Sequence, residues 1–260
     1  MKSDLSGKVA LVTGAARGIG QAIADRFAQN GATVYYTDVD QRGAEVAATR
    51  FPGCASAPLD VTKSTQVEEL IARIERERGH LDIVVNNAGV NTMAHRVTID
   101  EFPREEWDRI LDVDLNGVYE VSHAVARVMK RQGSGRIINI ASIAGLVPLR
   151  LQSAFVAAKA AVVNLTKSMA LELGPAGILV NGIAPGSTLT EGTKQLFYSS
   201  EGTFNARVQE MLDHVPLGRP GTTDEIAVAA LFLADPDNSY MNGHILVVDG
   251  GWIAGYHRQF

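Results

Sequence analysis

Seven short runs of consecutive apolar residues, separated by segments of helical period, constrain the fold more than any other feature of this chain. KVALVTG, ATVYYTD and SAPLDV are each followed by a helical segment, beginning at Ile19, Gln41 and Ser64. LDIVVNN, RIINIAS, ILVNGIAP and HILVVDG continue the series. Strands apolar on consecutive residues are covered on both faces, the condition of a parallel sheet with helices above and below. The expected fold is therefore α/β, a doubly wound seven-stranded parallel sheet with helices on both faces. At 260 residues and 46% hydrophobic content the chain needs only one core, so residues 1–260 are expected to form a single domain. Two helices should be long, Asp108 to Arg131 and Gln152 to Leu173.

Several functions are disfavoured at once. The net charge is −5 and the basic residues are scattered, which argues against a nucleic-acid partner. The apolar runs fall short of the roughly 20 residues that span a bilayer, so no membrane association is expected. The start MKSDLSGK leads into a strand without an apolar leader and Cys54 stands alone, which makes a cytoplasmic location the expectation. The six histidines show no H-x-x-x-H pairing, so no metal is expected. Ser142 lies in Ile140-Ala141-Ser142-Ile143-Ala144, not in the G-x-S-x-G elbow of a serine hydrolase.

The segment Thr13-Gly14-Ala15-Ala16-Arg17-Gly18-Ile19-Gly20 follows the first strand and opens a helix. Glycines there let backbone N–H groups and the helix N-terminus approach a pyrophosphate, although a tight turn needs glycine for packing alone. Asp38 ends the second strand, eighteen residues beyond Gly20, where an acid binds the ribose hydroxyls of adenosine; the competing reading is a helix cap. A carboxylate repels a 2′-phosphate and Val39 offers no cation to hold one, so the expected cofactor is NAD and not NADP.

The glycine motif, Asn86-Asn87-Ala88-Gly89, Asn116, Ser142, Lys159 and Pro185-Gly186 together resemble the short-chain dehydrogenase/reductase family over essentially the whole chain, which implies a Rossmann-type fold. The resemblance implies phosphate and ribose contacts for Gly14, Arg17, Gly18, Ile19, Gly20 and Asp38, and adenine contacts for Asp60 and Val61. It places Asn87, Ala88 and Gly89 on the adenosine side, and Pro185, Gly186, Thr188 and Thr190 at the nicotinamide carboxamide. Taken singly, Asn86 and Asn87 would serve equally to satisfy backbone groups at a strand end. In the family a tyrosine is the acid/base, Lys159 holds the nicotinamide ribose and lowers the tyrosine pKa, Ser142 bonds the substrate oxygen, and Asn116 holds a water that passes protons to Lys159.

At the tyrosine position this chain has Phe155, thirteen residues after Ser142 and four before Lys159, so that Phe155 and Lys159 share one helix face. Phenylalanine cannot relay a proton. Three explanations stand: a Tyr→Phe replacement that deletes the hydroxyl and keeps the ring, natural divergence to an inactive relative, or a core phenylalanine in a misread register. The family spacing of Ser142, Phe155 and Lys159 counts against the third. The retention of Asn116, Ser142 and Lys159 favours the first. The expected function is thus an NAD-dependent oxidoreductase moving a hydride between nicotinamide and a secondary alcohol or ketone, crippled by Phe155; the alternative is an NAD(H)-binding pseudoenzyme or sensor.

Residues 145–152 link the serine strand to the catalytic helix and should edge the substrate pocket. Gln152 suits a hydroxyl and Arg150 an acidic group, against the plainer readings of a solvated glutamine and a surface arginine. Asn91, His95 and Trp252 are further candidates. Residues 187–222 are expected to form a substrate lid over the C-terminal edge of the sheet. These polar groups, with the resemblance to relatives acting on sugars and polyols, point to a small polar substrate such as a sugar, sugar acid or polyol. The resemblance also implies a homotetramer, built on the last strand His244 to Val248 and the two long helices, with the tail Trp252 to Phe260 beside them.

Overall fold

The structure, a computed structural model, describes residues 2–92, 95–191 and 206–255. Strands β1 (Val9–Thr13), β2 (Thr33–Asp38), β3 (Ala55–Pro58), β4 (Ile83–Asn86), β5 (Gly135–Ile140) and β6 (Ile178–Pro185) fall where the apolar runs predict. Two short strands that the sequence pattern did not reveal, β7 (Thr188–Leu189) and β8 (Gly221–Thr222), pair in parallel with each other. The last strand, β9 (Ile245–Val248), completes a seven-stranded sheet in the order β3-β2-β1-β4-β5-β6-β9, parallel throughout. Strand order reverses at β1 and β4, and in open α/β sheets that switch point opens a crevice beyond the strands' C-terminal ends.

Alternation along each strand sends neighbouring side chains to opposite faces. Ala10, Val12, Val34, Tyr36, Val85 and Ile138 join one buried cluster with α1 (Gly18–Gln29) and α2 (Gln41–Ala48). Val9, Leu11, Tyr35, Val84 and Ile137 join the other with α3 (Ser64–Arg78). Further along, α4 (Arg104–Leu111), α5 (Gly117–Gln132) and α6 (Ser153–Leu173) come next in the chain, followed by α7 (Ala206–Leu212) and α8 (Thr223–Ala234). Of these, α8 packs with α1 and α2, whereas α5 and α6 cover the opposite face with α3. Each fully buried Leu or Ile contributes on the order of 1.5–3 kcal/mol, so both faces are needed to stabilise the sheet.

The first long helix departs from expectation. It begins at Arg104, not Asp108, and Asp112–Asn116 between α4 and α5 wind as a π turn. Such turns insert one residue into an α-helix and recur at functional sites. Through the bulge the inward stripe persists, because Ile110, Asp114, Val118, Val121 and Val125 are all buried. The expectation about membrane-length runs also needs correction: Ser153–Ala176 is long and apolar enough to cross a bilayer, with a mean hydropathy of 1.3. Its apolarity has a local cause, since Val162, Val163, Met169, Ala170 and Leu173 are buried against the rest of the fold.

Beneath the C-terminal ends of the central strands lies a polar layer. Asn86 on β4 and Asn139 on β5 are direct neighbours across the ladder. The Asn86 amide donates to Ser122 Oγ on α5 (2.9 Å) and to Asn139 Oδ1 (2.8 Å). Asn139 donates in turn to Thr166 Oγ1 on α6 (2.8 Å), and that hydroxyl donates to Val162 O (2.7 Å). One asparagine pair thereby fixes both helices to the sheet at the depth of the site. Asn139→Ala removes the acceptor of one Asn86 N–H and is expected to cost about 1–3 kcal/mol. Equilibrium denaturation at fixed protein concentration measures this, and a loss below about 0.5 kcal/mol would mean that the pair does not hold the layers.

Candidate active site

The glycine turn after β1 is shaped by strain and by close approach. Gly14 and Gly18 have φ of +64° and +63°, and a Cβ on Gly14 would lie 2.9 Å from Ala88 Cα. A Cβ on Gly20 would collide with Gly14 O and the Asn87 amide. Thr13 Oγ1 accepts from the Asn87 and Ala88 amides (both 3.0 Å), and Asn87 Nδ2 donates to Thr13 O (2.9 Å) and Gly14 O (3.0 Å). The Asn87 side chain thus satisfies backbone carbonyls and shapes the turn; its amide is not turned toward a ligand. At the mouth of the turn α1 begins after Arg17, which is exposed and provides no side-chain cap, and the first helical turn carries no acid. Unspent N–H groups at that terminus suit a pyrophosphate. Ile19 packs on the core beneath, and Thr190 stands over Gly18, 3.7 Å from where a Cβ would lie.

Asp38 is held beside this turn. Its Oδ2 accepts from Ala16 N (3.0 Å) and its Oδ1 from Asp40 N (2.9 Å). The helix-cap role belongs to Asp40, which caps α2 by accepting from Gly43 N (3.0 Å), so Asp38 is free of that duty. Val39 is 74% exposed. Asp60 Oδ1 accepts from the amide (3.0 Å) and hydroxyl (2.7 Å) of Thr62, and Val61 is buried against Gly117, where a Cβ would lie 2.5 Å from Val61 Cγ2. Across the crevice Pro185 ends β6, Gly186 N donates to Val248 O (2.9 Å), and Thr188 Oγ1 donates to Gly186 O (3.2 Å). A Cβ on Gly186 would meet Asp249 Cα at 2.8 Å.

Ser142 follows β5 in extended conformation and its Oγ accepts from Ala144 N (3.1 Å), which leaves the hydroxyl proton to donate elsewhere. The turn that carries it sits flush on α6, because Gly145 has no Cβ; one would be 2.5 Å from Lys159 O. Lys159 is buried, and its Nζ donates to Ile140 O (3.2 Å) and lies 5.7 Å from the Phe155 ring centroid. Phe155 is half-buried, packed against the small cluster of Ile110, Ala154 and Ala158. Lys159 thus stands beside Phe155 and bonds the end of the strand that leads to Ser142, at the C-terminal edge of the sheet.

Asn116 does not join them. It is exposed, and its amide donates to Asp112 Oδ1 (2.9 Å) on the outer side of the helix. The residue of that turn which does reach Lys159 is Asp114, two positions earlier and facing inward. Its carboxylate is fully buried, Oδ1 accepts from Val90 N (2.7 Å), and Oδ2 lies 3.0 Å from Lys159 Nζ. That last contact is an ion pair too bent for a hydrogen bond. Gly89 leaves room for the carboxylate, since a Cβ there would be 3.2 Å from Oδ2. The pattern Ile110, Asp114, Val118, Ser122 at four-residue spacing was the sequence signal for this buried acid.

Of the substrate candidates, Gln152 is 7% exposed, so it is not the solvated glutamine of the plainer reading, and Leu151 before it has a φ of +62°, strained for a residue with a branched side chain. Arg150 is exposed, as a surface arginine is. Asn91 and His95 are exposed, Asn91 Oδ1 accepts from Thr92 N (2.6 Å), and Trp252 is half-buried. Residues 192–205 of the expected lid and 256–260 of the expected tail lie outside the described residues. Among the described residues no group of three His, Cys, Asp or Glu could hold a metal.

The family model described as enoyl-(acyl carrier protein) reductase matches residues 14–253. The chain is 40% identical to 3-oxoacyl-(acyl-carrier-protein) reductase of Chlamydia muridarum over 256 residues, 96% of this chain and 99% of that one. It is 38% identical to gluconate 5-dehydrogenase of Gluconobacter oxydans over 252 residues, 95% of each. Among solved structures, a gluconate 5-dehydrogenase from Burkholderia cenocepacia in complex with NADP and tartrate superimposes with a TM-score of 0.89 at 36% identity, over 97% of both chains. With this sheet, this glycine turn and these relatives, the chain belongs to the short-chain dehydrogenase/reductase family of oxidoreductases acting on CH–OH groups.

Proposed function

We propose that this chain binds NAD(H) and is an alcohol dehydrogenase/ketone reductase for a sugar, sugar acid or polyol, with turnover suppressed by Phe155. The observation that carries this reading is the placement of Lys159 beside Phe155 and under the end of the strand that leads to Ser142, at the C-terminal edge of the sheet. A bound nicotinamide supplies or accepts the hydride. The chain's own residues orient the rest: the Ser142 hydroxyl donates to the substrate oxygen, and Lys159 places an ammonium beside it. Oxidation of an alcohol also requires a base for its hydroxyl proton, and the Phe155 ring has none.

The preference for NAD rests on Asp38, which two backbone amides hold in place while Val39 presents no cation. The solved gluconate 5-dehydrogenase carries NADP, so the preference is a property of these side chains and not of the fold. A polar substrate is supported by the buried amide-bearing Gln152 and by the two gluconate dehydrogenases; the acyl-carrier-protein reductase represents the competing substrate class. We place the enzyme in the cytoplasm as a homotetramer, with residues 187–222 as its lid. Support for assembly comes from the exposed apolar residues Tyr119 on α5, Leu171 on α6 and Val247 on β9.

The exclusion of Asn116 from the site favours a second reading. The preference for a single Tyr→Phe replacement counted three retained partners, and only Ser142 and Lys159 remain of them. A naturally diverged NAD(H) binder without turnover accommodates both Phe155 and a lysine already engaged by Asp114.

Phe155→Tyr is expected to raise the rate by about 10²–10⁴ with a sugar, sugar acid or polyol, read as NADH formed; no turnover in either form, with NADH still bound, would decide for the second reading. Asp38→Ala should shift the NADH-to-NADPH affinity ratio toward NADPH by about tenfold, or about 1.4 kcal/mol, and an unchanged ratio would remove Asp38 from cofactor choice. Light scattering should give a mass near four times the 27.8 kDa of one chain, and a monomer mass would exclude the tetramer.

A further inference from the structure

Asp114 is a carboxylate with no exposed surface, placed by the π turn against the one lysine of the reacting centre. Lys159 has three N–H donors; one goes to Ile140 O, and the ammonium rests 3.0 Å from Asp114 Oδ2. Side-chain exposure of the two is 7% and 0%, so water screens the pair little. What reaches Phe155, 5.7 Å from Nζ, is then the field of a dipole and not of a free cation.

We propose that Asp114 sets the charge at the reacting centre: it offsets the Lys159 ammonium at position 155, so that a tyrosine there works as an acid/base below its full effect until Asp114 is neutralised. This rests on the reading of position 155 as the acid/base position. Asp114 acts through Lys159 and is a positioning residue. The other elements around the pair offer it backbone groups, Val90 N from the loop after β4 and Ile140 O from β5. The charge of Arg109 on α4 also senses Asp114, and its guanidinium is already matched by Glu106 at 2.8 Å. Asp112 faces outward to Asn116.

A cation 4–6 Å from a phenol favours the phenolate and lowers its pKa by about 1–3 pH units, and an adjacent carboxylate removes that advantage. The test compares Phe155→Tyr with Phe155→Tyr/Asp114→Asn, near-isosteric variants in which the introduced amide oxygen can still accept from Val90 N. Tyrosinate absorbance of each is titrated against the Phe155 parent without cofactor, and the pH–rate profile is followed in parallel. Phe155→Tyr alone should titrate at or above the ordinary phenol value of about 10. The double variant should titrate about 1–3 pH units lower and turn over about tenfold or more faster at neutral pH. Coincident titrations overturn the proposal, as does a phenol near neutrality in the single variant, a measurement that stands even if the double variant does not fold. A displaced titration supports it even where neither variant turns over any substrate, an outcome that counts against the proposed activity alone.

Discussion

A parallel strand can pair with its neighbour only after the chain has returned to the same starting edge, and the return has to cross a face of the sheet. Here seven strands impose that condition, and the helices that satisfy it bury both faces. One consequence is geometric: every strand ends at the same edge, so the loops that leave β1, β2, β4, β5 and β6 are delivered side by side. The glycine turn, Asp38, Gly89, Ser142 and Gly186 come from five different strands and are neighbours for that reason alone.

Within that edge the asparagines divide the work. Asn87 ties the glycine turn to the end of β4, and Asn86 with Asn139 ties the sheet to α5 and α6. An unpaired amide N–H at this depth would cost on the order of 1–3 kcal/mol, and the amide groups of Asn86, Asn87 and Asn139 all donate within the protein, away from the crevice. Residues of a binding motif thus include some that never face the ligand. Their contribution is to keep Gly14 and the first turn of α1 where an anion can meet free N–H groups.

Most of the fold was legible because its signals are local and repeated: consecutive apolar residues for each strand, and helical period between them. The shared face of Phe155 and Lys159 was legible as well, because residues four apart on a regular helix point the same way. The π turn broke that logic for its own segment. Asn116 and Asp114 lie two residues apart, only Asp114 faces inward, and the family resemblance had pointed to Asn116. The apolar stripe from Ile110 through Val118 pointed to Asp114, but a carboxylate on a buried stripe reads as an error until its lysine, forty-five positions later (159 − 114), is in place beside it. Likewise the sequence left a helix cap as the plainer reading of Asp38, and the hydrogen bonds show that Asp40 is the cap. The pair β7 and β8 left no trace because two-residue strands have no period.

That small pair carries its own consequence. Thr188–Leu189 and Gly221–Thr222 clasp each other at the rim of the crevice, and β8 runs directly into the capped start of α8. The clasp holds both ends of the stretch between β7 and β8, as the ends of a loop are held. Lengthening such a loop is thermodynamically mild, about 0.6 kcal/mol for each doubling. A change of length between these two strands can therefore leave the sheet and the nucleotide crevice as they are.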